Sequence, residues 1–369
     1  MARVSRRKFI RNAALGGAFL TQGRSFLFAS ESRKTGSPVD WTRYKLFYER
    51  PAPIWPDALP VGNGRLGAMV FGRPSRERIQ LNEESIWDGE PRDRDNPQAS
   101  AAVPEIRRLL FAGKVHEAQA MAVNDILSIP RRMPCYQTLG DLCLDFSSSG
   151  FDRTNDAASL ADIAGYRLEL DLDRAIVHTE FTHKGIRHIR EVFSSAPDQV
   201  VVIRLSVSQP GALSFAASLT RPGSFATAAG GASELLMTGE ALPVHDNPGL
   251  PIKERQVGIR FLARLRAIAD GGAISTHVGH GDHPLQLQVS GANSVTLLLD
   301  CATSFRYPAG EEAMNAAVIR NLNGAARQSF SRLRERHIAD YRPIFRRAAL
   351  ELGAPGIADP NRDLPTSER

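Results

Sequence analysis

The chain has 369 residues, 42% of them apolar and 23% charged, the balance of a globular protein with ample material for a core. That length suggests roughly two or three domains. The net charge of +6 suggests a nucleic-acid partner, but Arg3, Arg6, Arg7, Lys8, Arg11 and Arg24 fall within the first 30 residues, which hold no Asp or Glu. The rest of the chain is neutral overall, and no nucleic acid is expected.

Taken in order, residues 1–36 read as an export leader. Ser5-Arg-Arg-Lys-Phe-Ile10 is a twin-arginine pattern centred on Arg6 and Arg7, and the weakly apolar Ala13-Ala-Leu-Gly-Gly-Ala-Phe-Leu20 follows it. This predicts delivery of a folded protein by the twin-arginine translocase to the periplasm or beyond. Maturation would fall between residues 29 and 36, and an uncleaved anchor stays open because Arg24 interrupts the apolar stretch. No later run is apolar for long enough to span a bilayer.

Residues 41–308 read as one large antiparallel β-sandwich. In Leu59-Pro-Val-Gly-Asn-Gly-Arg-Leu-Gly-Ala-Met-Val-Phe-Gly72, glycines 62, 64, 67 and 72 bracket a buried strand entered and left through tight turns. A second polar cluster follows in Ile79-Gln-Leu-Asn-Glu-Glu-Ser-Ile-Trp-Asp-Gly89. Val103, Ile106, Leu109 and Leu110 then mark a helix that Pro104 opens and Gly113 closes, and Val115, Ala118, Ala122 and Ile126 mark a second. Beyond this insertion the period is two. Tyr166, Leu168, Leu170 and Leu172 form one half-buried strand, Val257 to Ala267 another, and Val295, Leu297 and Leu299 a third. Turns are expected at Asp171–Arg174, Lys184–Gly185 and Asp270–Gly272, and a loop at the Gly-, Ala- and Ser-rich stretch 223–233. After Pro308 the period changes. Residues 309–350 read as a helical linker, and 351–369 as a tail with no strong pattern.

The two glycine- and asparagine-rich segments closely resemble the N-terminal signature of glycoside hydrolase family 95, the α-L-fucosidases and their relatives. Tyr166-Arg-Leu-Glu-Leu-Asp-Leu-Asp173, Arg190-Glu-Val-Phe-Ser-Ser-Ala-Pro-Asp-Gln199, Thr303-Ser-Phe305 and His337-Ile-Ala-Asp-Tyr-Arg-Pro-Ile-Phe345 are similar to family landmarks in family order. The resemblance implies an N-terminal β-super-sandwich, a helical linker and then an (α/α)6 barrel, into which residues 351–369 would lead. It also implies inverting hydrolysis of α-L-fucosides in fucosylated glycans, by groups that belong to the barrel. None of those motifs is matched in this sequence, so no catalytic residue is carried over. A separately encoded barrel then becomes a possible partner. The alternative is a free-standing periplasmic carbohydrate-binding or scaffold sandwich without hydrolysis.

Several side chains are candidates for substrate contact. Trp55 and Trp87 offer flat apolar faces that stack on a pyranose ring, while Asn63, Arg65, Asn82 and Glu83 offer hydrogen-bonding heads. The competing reading is structural: these groups fix the turns around a buried strand, with Trp87 filling the core. Glu83 and Glu84 are adjacent on a strand, so they point to opposite faces and do not converge on one bond. Gly62-Asn-Gly-Arg-Leu-Gly67 has the G-x-G-x-x-G spacing but opens no βαβ unit, so no dinucleotide or other cofactor is expected. His277, His280 and His283 with Asp282 lie in a Gly-rich turn and read as an exposed hairpin, not a metal site. Cys135, Cys143 and Cys301 match no zinc spacing; a Cys135–Cys143 bridge and free buried thiols both remain open.

Overall fold

A computed structural model describes residues 39–89, 93–129, 131, 133–151, 160, 162–242, 258–279, 285–350, 361 and 364–369. Arg6 and Arg7, Val257, the group His280, Asp282 and His283, and residues 351–360 lie outside the described residues.

The strands of the first half are β1 Lys45–Tyr48, β2 Leu59–Gly62, β3 Leu66–Val70, β4 Arg76–Glu83 and β5 Gly140–Asp145. Next come β6 Ile163–Asp171, β7 Ile176–His183, β8 Ile186–Ser195, β9 Val200–Val207 and β10 Leu213–Thr220. The last are β11 Phe225–Gly231, β12 Glu234–Glu240, β13 Arg260–Asp270, β14 Ala273–Val278, β15 Leu285–Ala292 and β16 Ser294–Thr303. They form two sheets, one of nine strands in the order β1-β6-β7-β8-β9-β16-β13-β12-β11 and one of seven in the order β14-β15-β10-β5-β4-β3-β2. Every pairing is antiparallel, as the period-two pattern requires. Tight turns set the register. Between β7 and β8, Lys184 (φ 49°) and Gly185 (φ 79°) both adopt positive φ, the turn that matches the twist of paired strands.

The inner faces of the two sheets make the main core. Leu66, Val70, Ile79, Leu81, Leu142 and Phe215 from one sheet meet Leu168, Phe181, Val192, Ile203, Leu265 and Leu297 from the other. A buried ion pair crosses it. Arg190 on β8 reaches Glu77 on β4 at 3.0 Å and also donates to the Arg73 carbonyl, while Glu77 accepts from the Gly72 amide. Burial pushes the Glu77 carboxyl up and the Arg190 guanidinium down, each opposed by the other's charge.

The helices lie in two places. Helix α1 Ala99–Phe111 and helix α2 Val115–Asp125 form the insertion between β4 and β5 and pack on each other through Ala102, Ile106, Leu109 and Ala118. Pro104 does not open α1; the helix begins five residues earlier and Pro104 sits inside it. The helical ladder is already running there, with the Ala102 amide on the Gln98 carbonyl, so Pro104 forgoes one intrahelical bond, to Ser100. Helix α3 Glu311–Ala326 and helix α4 Phe330–Phe345 cover the outer face of the nine-stranded sheet, with Ser329 capping α4 through the Arg332 amide. Met314, Val318, Leu322 and Leu333 pack there on Phe193, Val202, Leu262 and Leu298. This second core explains why β16 is buried along its whole length and not half-buried as its alternation suggests.

The stretch 223–233 is another departure. It holds edge strand β11, paired with β12 from Phe225 opposite Gly239 to Gly231 opposite Glu234. Small residues that pack little still pair through their backbones at a sheet edge. No helix among the described residues is long and apolar enough to cross a membrane.

Candidate functional site

The glycine-bracketed segment folds as the β2–β3 hairpin. Asn63 builds the turn: its Oδ1 accepts from the amides of Arg65 (2.9 Å) and Leu66 (2.8 Å), its Nδ2 donates to the Ser195 carbonyl (3.1 Å), and Gly64 takes φ 89°. Arg65 points inward. Its guanidinium donates to Gln199 Oε1 (2.8 Å), the Gln199 carbonyl (2.8 Å), Asp300 Oδ1 (2.6 Å) and the Cys301 carbonyl. Burial works against its charge, but Asp300 outweighs this and raises its pKa. Asn63 and Arg65 are thus engaged in holding β2–β3 to the nine-stranded sheet and do not face an open surface.

Strand β4 ends at Glu83, which is fully buried. Its Oε2 accepts from the Ser85 amide (2.8 Å) and hydroxyl (2.6 Å), and the Ser85 hydroxyl also meets Thr303 Oγ1 at 2.6 Å. Among the described residues Glu83 Oε1 has no hydrogen-bond partner; Arg306 Nε stands 3.7 Å away. Burial pushes this carboxyl up, with Ser85, Arg65 and Arg306 pulling the other way. Glu84 is exposed and pairs with Arg306, so the two adjacent glutamates do face apart.

The turn pinned by Glu83 buries Ile86 and turns Trp87 outward. The Trp87 backbone bridges to Tyr136, its carbonyl accepts from the Ile259 amide (3.2 Å), and its indole N–H donates to the Glu84 carbonyl (2.9 Å). Trp87 is 38% exposed, so it does not fill the core. The Tyr136 ring meets it edge-on at 5.5 Å, and the Tyr136 hydroxyl donates toward Asn82 Oδ1 (3.2 Å) and the Glu83 carbonyl (3.1 Å). Burial, and secondarily Glu83, pushes that phenol up to about 12.

A cleft of about 340 Å³ results, lined by Glu84, Ser85, Trp87, Met133, Ile259 and Phe305 among others. It is largely apolar, with the polar residues Glu84 and Ser85 in its lining, the composition of a small-molecule site. Of the sequence candidates, the structure gathers Asn82, Glu83 and Trp87 at or beneath this cleft. Trp55 stands apart, in the short helical turn Trp55–Asp57 before β2, its indole donating to Gln80 of β4. Tyr136, Ile259, Phe305 and Arg306 carry no site signal of their own in the sequence, although Phe305 closes the Thr303-Ser-Phe305 landmark. Among the described residues Glu84 is the one carboxylate in the lining, whereas inverting glycoside hydrolysis needs two across the scissile bond. Among the described residues no group of three or more His, Cys, Asp or Glu is placed to hold a metal.

The family model described as "Glycosyl hydrolase family 65, N-terminal domain" matches residues 46–308. "Alpha-L-fucosidase 2" of Arabidopsis thaliana is 32% identical over 349 residues, covering 88% of this chain and 38% of that protein. "Probable alpha-fucosidase A" of Aspergillus niger is 29% identical over 333 residues, covering 84% of this chain and 37% of that protein. The chain therefore spans less than two fifths of the length of either relative. The family 95 resemblance and the family-model match agree on the N-terminal region of a glycoside hydrolase. With the match spanning the sandwich from β1 to the segment after β16, the chain belongs to the glycosyl hydrolase family 65 N-terminal domain family.

Proposed function

We propose that this chain is the non-catalytic N-terminal portion of an exported, inverting α-L-fucosidase that acts on fucosylated glycans, and that its Trp87 cleft holds part of the sugar. The fucosidase relatives aligned over most of its length carry this reading. The cleft supports it: Trp87 and Phe305 offer apolar faces, and Glu84, with Arg306 paired to it, offers a polar edge. A lining whose described residues include one carboxylate supports a binding role, with acid and base supplied by a catalytic barrel. Export rests on Arg6 and Arg7 and is tested by fusing residues 1–36 to a folded reporter. Loss of export on R6K/R7K substitution is expected; unchanged export would refute it.

The enzymatic reading is tested by following fucose release from an aryl α-L-fucoside by the chain alone and with a separately produced barrel. No turnover is expected from the chain alone and turnover from the mixture. Turnover by the chain alone would overturn the assignment of the catalytic groups to the barrel. Glycan binding with no turnover in either case would favour a carbohydrate-binding protein, which the exposed aromatic lining also suits.

A further inference from the structure

Gly62 and Gly67 have no conformational reason to be glycine. Neither has positive φ, and a Cβ on Gly62 would find only the Leu66 carbonyl oxygen at 3.6 Å and Gly67 Cα at 4.0 Å. A Cβ on Gly67 would find the Val61 carbonyl oxygen at 3.5 Å and Asn82 Cβ at 3.9 Å, both ordinary contacts. The two are paired across β2 and β3, and Gly67 pairs in turn with Asn82 on β4. Burial alternates along these strands, with Leu66, Ala68, Leu81 and Glu83 inward, so Gly62, Gly67 and Asn82 form a row on the outer face of the seven-stranded sheet. That row is bare backbone ending in a carboxamide.

An aromatic ring stands on each side of it. Tyr136, 41% exposed, is tied through its hydroxyl to Asn82, and Trp55, 51% exposed, is tied through its indole to Gln80. Asn82 and Gln80 are same-face neighbours on β4, about 6.7 Å apart along the strand. Trp55, Trp87 and Tyr136 are the exposed Trp and Tyr side chains among the described residues, and all three lie along the outer side and end of this one strand. Exposed aromatics with fixed polar edges, beside a floor stripped of side chains, make a surface for a flat, hydroxyl-rich ring.

We propose that this corner of the sheet is a second sugar-binding platform. On it an inner residue of a fucosylated oligosaccharide lies over Gly62 and Gly67, between Tyr136 and Trp55, while the terminal sugar occupies the Trp87 cleft. The inference rests on the sugar-binding reading of that cleft and adds a preference for longer chains. Asn82 and Gln80 supply donors and acceptors for vicinal hydroxyls. Tyr136, touching both Trp87 and Asn82, joins the two places.

The test is calorimetric titration of the full chain with methyl α-L-fucoside, a monosaccharide that fills the cleft and has no inner sugar, and with a fucosylated hexasaccharide. G67T adds a side chain to the floor at a strand position that tolerates it, and W55A removes one wall; thermal melting checks that each folds. Both variants are expected to weaken the hexasaccharide about tenfold and leave the monosaccharide unchanged, while W87A weakens both. Equal affinity of the unaltered chain for the two sugars would overturn the platform, as would hexasaccharide binding untouched by G67T and W55A. Sensitivity to G67T without sensitivity to W87A would overturn the cleft reading and leave the platform standing. No binding of either sugar would overturn both.

Discussion

Replacing Arg65 by Met tests the account of the β2–β3 turn most directly. The substitution keeps an unbranched apolar stem and removes a guanidinium that donates to Gln199, Asp300 and Cys301. Asp300 would keep only Asn321 Nδ2 (2.9 Å) and the Cys301 amide (2.7 Å) as donors, in a site that is 1% exposed. Breaking a buried pair from one side costs about 3–5 kcal/mol, since the remaining charge is stranded. Urea unfolding reads this as a fall in midpoint at unchanged slope. Two controls separate a stranded charge from lost packing. In R65M/D300N the charge is gone, so the double variant should recover most of the loss.

The second control is pH. Burial already pushes the Asp300 carboxyl up, against the pull of Arg65, and removing Arg65 pushes it further. A carboxyl whose folded pKa exceeds its unfolded value binds more protons in the native state, so its cost is absent at low pH and grows as pH rises from about 4 through the folded value. The deficit of R65M should therefore shrink between pH 8 and pH 5. A loss under about 1 kcal/mol, a double variant no better than the single, or a deficit independent of pH would refute the reasoning.

Three further outcomes follow from other parts of the sandwich. Burial, with Arg190 and His183 nearby, pushes the His188 imidazole down to about 4, so the native state lacks a proton that the unfolded chain binds below about 6.5. Stability should fall by up to about 3 kcal/mol as pH drops through that window, and His188→Phe should flatten the decline in urea midpoints. Gly72→Ala places a Cβ 2.5 Å from the Tyr166 hydroxyl at φ 73°, and its cost of about 2–5 kcal/mol should exceed that of Tyr166→Phe, about 1–2 kcal/mol for the bond to the Gly72 carbonyl. All three cysteines are free, with Cys135 exposed, Cys301 buried and the Cys143 thiol pushed up to about 12 by burial and by Asp141. A thiol reagent should titrate one group in the native chain and three in denaturant; a single thiol in denaturant would reveal a disulfide.

The strands were legible wherever one face meets water, because alternation survives there. β6 and β7 are examples, with their turn at Asp171–Arg174 marked by polar residues. Alternation misleads for β16, since α3 and α4 bury its second face and nothing local announces a cover supplied from residue 311 onward. β11 was hidden by composition, its pairing carried by backbone groups that Gly and Ala possess as fully as Val. The cleft was half visible. Trp87 and Asn82 lie within a dense motif, whereas Tyr136, Ile259 and Phe305 arrive from separate parts of the chain that only the fold brings together. Asn63 and Arg65 resembled ligands for the same reason they are structural: a tight turn buried against a second sheet leaves backbone and carboxylate groups that need polar partners.

The glycines of the 59–72 segment carry this furthest, because one residue type there answers to different demands. Gly64 and Gly72 sit at φ 89° and 73°, where a side chain is strained, and a Cβ on Gly72 would also collide with Tyr166 and Leu168. Gly62 and Gly67 meet neither demand. On a strand, a β-branched residue at either place would be expected to improve pairing with Asn82 and its neighbours. Backbone geometry and core packing therefore account for half of the motif, and the remaining half is explained by what the outer face must leave uncovered. If G67T proves more stable than the natural chain yet loses the longer sugar, stability has been exchanged for a surface, and the glycine belongs to function and not to the turn.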